Sequence, residues 1–220
     1  MVQKKQSKIR VLDRQDDTSI SETAEVPRTT KRKVDIGLDI STSNIGYCVL
    51  DANTGSFIRM GYVKLTSNKF EDIYDKGLET ERAFTRFIEQ SNEEVSRIFV
   101  EEAHMKFTPG FSSAKTLFAL ATFNGIICYK AYEYFGSKPI KIGVRTARSK
   151  MKIKINFKDK TSSSKEKVFQ TVKTMNPSFP WETKVANTGT NKGQTVYTAQ
   201  NYDMADAYII CRGGQLTTPL

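Results

Sequence analysis

The sequence predicts an α/β domain with a mixed five-stranded sheet flanked by helices, and three observations carry that prediction. Residues 34–65 contain three consecutive strand-like runs joined by tight turns. From residue 73 onward, stretches of helical periodicity alternate with short apolar runs, the pattern of strands covered by helices. The length of 220 residues supports a sizeable core, and 38% hydrophobic residues, with 13 Phe and 9 Tyr, supply the bulk to fill it.

In the first run Val34, Ile36, Leu38 and Ile40 alternate with Asp35, Gly37, Asp39 and Ser41, which is a strand with two unlike faces. Ser41-Thr42-Ser43-Asn44 turns the chain into a second strand over residues 45–50. Asp51 to Gly55 supplies the next turn, and residues 57–65 form a third strand. A helix is predicted over 73–94, with Leu78, Phe84, Phe87 and Ile88 roughly on one side. Arg97 to Val100 reads as a short strand buried on both faces, ending in Glu101-Glu102. Residues 112–135 form a helix that is apolar around its circumference, so it is a core helix or a subunit interface. Pro139 to Val144 gives a fifth strand, a helix is expected over 163–175, and a last helix begins near Tyr202. The Thr/Asn/Gly-rich stretch 176–200 reads as an insertion, with a hairpin of Thr183–Ala186 and Thr195–Thr198 around Thr188-Gly189-Thr190-Asn191. Residues 1–33 are polar and lack apolar periodicity, so a flexible basic tail is expected ahead of a domain over 34–215, with 216–220 a short C-terminal tail.

Several classes are excluded. No apolar run reaches bilayer length; Thr116 to Tyr129 is interrupted by Asn124 and Gly125 and flanked by Lys115 and Lys130. The basic N-terminus has no apolar stretch behind it and is not a secretory signal. Cys48, Cys128 and Cys211 sit singly in apolar segments without CxxC spacing, which argues against a disulfide framework and against a zinc site. Buried thiols in a reducing compartment are expected, hence a cytoplasmic protein (host cytoplasm for a viral source) and no membrane partner.

The net charge of +10 is unevenly spread. Residues 141–167 hold ten basic residues against two acidic, and residues 1–33 hold nine against five, leaving the rest slightly acidic. Such segregation marks a polyanion binder, with a solvated basic surface as the plainer alternative. Within this region, residues 150–158 alternate strictly: Lys150, Lys152, Lys154 and Lys158 on one side, and Met151, Ile153, Ile155 and Phe157 on the other. An extended segment of this kind makes a rail for phosphates, or else a solubilising edge strand.

Four acids fall where charge is costly. Asp39 ends the first strand, Glu101 ends the apolar fourth, and Asp203 and Asp206 lie three apart near the start of the last helix, on one face. No Lys or Arg adjoins Asp39 or Glu101 in sequence. Divalent cations are the natural partners of converging carboxylates, and hard oxygen ligands favour Mg²⁺ or Mn²⁺. Two such ions about 4 Å apart can activate water against a phosphodiester without a nucleophilic side chain. Taken singly, each acid also has a duller role as a turn cap, a solvated strand end or a complement to a helix N-terminus.

The order of the motifs is what separates these readings. Ile36-Gly37-Leu38-Asp39-Ile40-Ser41 with Ile45-Gly46-Tyr47 resembles the first strand and turn of RuvC-type Holliday-junction resolvases. Val100-Glu101-Glu102-Ala103-His104-Met105 resembles that family's fourth-strand motif, and Asp203-Met204-Ala205-Asp206-Ala207 its closing DxxDA motif. Val144-Arg145 through Lys165-Glu166-Lys167-Val168 resembles its basic segment and KExV helix start. The resemblance spans about residues 34–215 and implies an RNase H-like fold. It implies catalytic roles for Asp39, Glu101, Asp203, Asp206 and Lys165, with the four acids binding two Mg²⁺ ions and Mn²⁺ as a substitute. It further implies a homodimer acting on four-way DNA, with Lys165 and Arg148 near the scissile phosphate. Arg145, Lys150, Lys152, Lys154 and Lys158 are the accompanying DNA-binding candidates. The family's junction-opening aromatic falls on His104, with Phe107 or Phe111 as replacements, and its glycine after the first Asp region is replaced by Ser41-Thr42-Ser43.

Other readings share the core. Asp35-Ile36-Gly37 through Gly46 is also similar to the first phosphate loop of actin-like ATPases and sugar kinases, but their second Asp-Gly loop is missing. The four acids also suit flap, transposase or RNA–DNA hybrid nucleases. A non-catalytic DNA-binding module gains nothing from four acids facing a polyanion.

Overall fold

The computed structural model describes residues 31–66, 68–102, 114–154 and 163–219. One sheet of five strands, β1 (Arg32–Ile40), β2 (Asn44–Asp51), β3 (Phe57–Lys64), β4 (Glu93–Glu101) and β5 (Ile140–Ile142), runs in the order β3-β2-β1-β4-β5. The first three strands, joined by tight turns as expected, form an antiparallel meander, β4 runs parallel to β1, and β5 runs parallel to β4. The strand order therefore reverses between β1 and β4. In such sheets, clefts open at the carboxyl ends of the strands flanking that reversal.

The alternation in β1 sorts its side chains onto two layers. Val34, Ile36, Leu38 and Ile40 join the buried cluster under α1 (Ile73–Gln90) and α2 (Ala114–Phe135). Asp35, Gly37 and Asp39 fall on the other face, covered by α3 (Val144–Lys150), α4 (Ser164–Met175) and α5 (Gln200–Thr217). In β4, Ile98 and Val100 face α1 and α2, and Phe99 faces α5. By the same alternation Glu101 shares the face of Asp39.

The α5 helix lies with its backbone directly on β1 and β2. A methyl group at Gly37 would overlap the Ala207 carbonyl, and one at Gly46 would overlap the Asp203 carbonyl. Further along, α5 is clamped by a buried ion pair. Asp35, fully buried, accepts from Arg97 Nε at 3.1 Å and Nη2 at 2.5 Å, and from Gln215 Nε2 at 2.8 Å. Arg97, the register partner of Asp35 on β4, also donates to the Thr218 carbonyl just past α5.

Several local expectations are corrected. The β1 strand begins at Arg32, whose amide donates to Asn92 and whose guanidinium pairs with Asp51. The fourth strand starts at Glu93 rather than Arg97, and the fifth is only Ile140–Ile142, because Val144 already begins α3. Residues 144–150 are thus helical, and the extended phosphate rail is not formed over Lys150–Lys154. Ala147 packs under Gly213 of α5, while Val144, Met151 and Ile153 pack on the core, which overrides the alternating pattern. Leu78 is 52% exposed and does not join Phe84 and Phe87. Only one side of α2 is buried; Phe118, Tyr129 and Tyr132 stand exposed on the other. Cys48 and Cys211 are buried thiols, while Cys128 is partly exposed. The hairpin forms as two short strands, β6 (Thr183–Val185) and β7 (Thr195–Tyr197). Among the described residues, no helix is long and apolar enough to cross a membrane.

Removing one partner of a buried ion pair leaves the other charge uncompensated. Asp35→Ala is therefore expected to destabilise the domain by about 3–5 kcal/mol, measured by urea unfolding.

Candidate active site

The sheet and α5 bring the four acids together. The last paired residues of β1 and β4 are Leu38 and Val100, so Asp39 and Glu101 follow next on adjacent parallel strands, on one face. Asp39 also pairs across the meander with Gly46, the residue that admits the Asp203 backbone. One helical turn on, Asp206 faces the same way. Asp39, Glu101 and Asp206 line one cavity of about 380 Å³ with Arg148, Lys165, Ile40, Val144, Leu120 and Asn124. Asp203 stands beside this lining, close enough to raise the Asp39 pKa. A larger cavity of about 620 Å³ opens under α1. It has a floor of Ile36, Leu38 and Ile45 and no converging acids, so the smaller cavity is the candidate site.

Among the described residues, two cations reach this cavity from distant sequence. Ser163 caps α4 by accepting from the Glu166 amide at 3.1 Å, which places Lys165 in the first turn. A cation there opposes the helix dipole, and the acids opposite compensate it. Arg148, held on α3, approaches Asp206 at 3.6 Å, and its buried Nε has no hydrogen-bond partner among the described residues.

The electrostatics remain unbalanced toward negative charge. Burial, then the carboxylates of Asp206, Glu101 and Asp203, push the Asp39 pKa well above the ordinary carboxylate range, against a smaller pull from Lys165. Burial raises Asp203 and Asp206 as well, offset in part by Lys165, by the side chain of Asn44 at Asp203 and by Arg148 at Asp206. Among the described residues, no three acidic, cysteine or histidine side chains are already closed up as a metal-binding set. As placed, Asp206 turns toward Arg148 and Asp203 toward Asn44.

Of the other residues singled out in the sequence, Arg145 and Lys150 are exposed on α3, and Lys152 and Lys154 are exposed just beyond it. Lys152 takes a positive φ of 57° in the turn that ends the helix. Lys158, His104, Phe107 and Phe111 lie outside the described residues. Two site residues escaped sequence reasoning. Asn44 was read only as a turn residue and Asn124 only as an interruption of an apolar run. The signal was there for Asn124: a polar side chain inside a core helix needs a polar cavity to face.

Because the folded Asp39 binds its proton more tightly than the unfolded one, its contribution to stability falls as pH rises through that window. Asp39→Asn is thus expected to raise the melting temperature at neutral pH in the presence of chelator. The gain should shrink as pH drops and the wild-type carboxyl becomes protonated, which melts across a pH series will show.

No protein-family model matches the sequence, and no curated protein matches it. Among solved structures, the chain is similar to Thermus thermophilus RuvC in complex with a Holliday junction substrate. The two share 15% identity at a TM-score of 0.53, over 84% of this chain and 93% of that one. A second Thermus thermophilus RuvC structure matches with 15% identity and a TM-score of 0.51, over 83% and 93%. At this identity the likeness is one of fold: the chain has the mixed-sheet α/β architecture of RuvC, as the sequence predicts.

Proposed function

We propose that the chain is a divalent-metal-dependent nuclease that cuts branched DNA, with the four-way junction as its substrate. The observation that carries this reading is the convergence of Asp39, Glu101 and Asp206, backed by Asp203, in one cavity with Lys165 and Arg148. The fold it shares with a RuvC solved on a Holliday junction supports the choice of substrate.

The donor set suits a hard divalent cation. It consists of carboxylate oxygens, it is partly buried, and its negative charge exceeds that of the two cations beside it. Asp39, Glu101, Asp203 and Asp206 would hold two Mg²⁺ ions, which Mn²⁺ can replace, and these supply an activated water and charge neutralisation at the phosphate. Lys165 and Arg148 meet the non-bridging phosphate oxygens, Arg148 with donors that Asp206 only partly uses. Arg145, Lys150, Lys152 and Lys154, exposed on and after α3, hold the flanking backbone without reading bases.

A homodimer fits both the substrate and the surface. Phe118 (74% exposed), Tyr129 (62%) and Tyr132 (43%) share one face of α2 with Gly125, where added side-chain atoms would meet open space. An aromatic stripe around a small residue is suited to a second copy of the helix, and two-fold symmetry would set two cavities on the two strands of a junction.

Cleavage of a synthetic four-way junction, beside duplex, flap and RNA–DNA hybrid, tests the activity. Paired nicks on the junction with Mg²⁺ are expected, reduced to background by chelator or by Asp39→Asn. Equal cutting of flaps or hybrids would discard the junction preference, and no cutting of any substrate would discard the nuclease. Phe118→Glu with Tyr129→Glu is expected to convert a dimer to a monomer in sedimentation; an unchanged sedimentation coefficient would move the interface elsewhere.

A further inference from the structure

The hairpin between α4 and α5 has no part in the site, yet it is built onto the frame that holds the site. Its two strands pair Thr183 with Tyr197, Lys184 with Val196 and Val185 with Thr195. The base is closed by the Thr198 amide donating to the Glu182 carbonyl at 3.2 Å. Asn201, fully buried in the first turn of α5, then brackets Glu182: Oδ1 accepts from its amide at 3.1 Å and Nδ2 donates to its carbonyl at 2.7 Å. Tyr62 on β3 donates to the Glu182 carboxylate at 3.1 Å. Tyr62 is the register partner of Gly46, which in turn pairs with Asp39. The root of the hairpin therefore stands at the level of the acid cavity, and Asn201, which brackets it, lies two residues before Asp203. Lys173 of α4 donates to the Tyr197 hydroxyl at 2.5 Å, and the Tyr197 ring packs on Phe169 with centroids 4.9 Å apart.

Beyond that rigid root the chemistry is one-sided. From Thr183 to Ala199 there are two lysines, Lys184 and Lys192, and no acid; the remaining polar side chains are those of Thr, Asn, Gln and Tyr. Every residue from Thr183 to Thr195 except Ala186 is exposed, including Val185 at 58%. The hairpin therefore buries almost nothing of its own. A two-stranded ribbon alone is marginal in water, and the fixed joints at its base are what hold it out. A protruding ribbon with cations, neutral donors and no acid suits a polyanion, and a two-stranded ribbon is narrow enough to enter the DNA major groove.

We infer that the β6–β7 hairpin is a DNA-contacting arm that grips the phosphate backbone of the duplex beside the cut through Lys184 and Lys192. This rests on the nuclease reading above and adds to it a second contact surface, separate from α3. The contact is one of position: lysines on phosphates fix where the duplex lies and add affinity with little regard to sequence.

The test is binding of the full chain to a fluorescent four-way junction in chelator, followed by anisotropy over a series of KCl concentrations. Lys184→Gln with Lys192→Gln is expected to weaken binding about three- to tenfold and to lower the salt slope by about two. Both side chains are exposed, and arginine at both positions should restore binding. The charge-matched control is Lys33→Gln with Lys138→Gln, two exposed lysines at the amino ends of the parallel strands, away from the acids. An unchanged affinity and slope in the hairpin variant, with wild type still binding, overturns the arm and leaves the nuclease standing. An equal loss in the control also overturns it, since net charge alone would then explain the effect. Failure of the wild-type chain to bind any DNA removes the nuclease reading and the arm together.

Discussion

Everything in this domain depends on α5 lying in backbone contact with β1 and β2. Gly37 and Gly46 leave the room for that contact. Any side chain at either position would lift the helix off the sheet and part the two acids on α5 from the two on the strands. The far end of the same helix is tied down by Asp35, Arg97 and Gln215, so α5 is located at both ends. The first constraint is steric and the second polar, and together they fix the depth and the angle at which Asp203 and Asp206 are presented.

Asp35 and Asp39 lie four residues apart on the same face of the same strand, yet the structure treats them oppositely. Asp35 is fully buried and its carboxylate accepts three hydrogen bonds, so its charge is matched. Asp39 is surrounded by further carboxylates and, among the described residues, answered from a distance by Lys165. Along a single strand the fold neutralises one buried acid thoroughly and crowds another with like charge.

Much of this was legible because the decisive signals are local. The alternation of Val34, Ile36, Leu38 and Ile40 assigned β1 its two faces, and the chain order of Asp39, Glu101 and the Asp203/Asp206 pair outlined the site. What stayed hidden were events set by distant residues. Arg97, 62 positions from Asp35, read as part of an apolar run rather than as its partner. The lysine alternation after residue 150 follows the strand period, but packing of Ala147 beneath Gly213 makes the preceding segment a helix. Leu78 has the right spacing for a core face, yet α1 turns it outward. Arg148 and Lys165 were placed by resemblance; their shared cavity exists only because α3 and α4 both pack on α5.

The closed base of the β6–β7 hairpin has a practical consequence. Chain enters at Glu182 and leaves at Thr198 through paired backbone groups, so the span and register handed on to α5 do not depend on what lies between them. The intervening stretch behaves as a cassette. Between Lys184 and Lys192 it can be lengthened or carry a reporter without passing a displacement into the helix. That makes this loop the natural place to attach a probe.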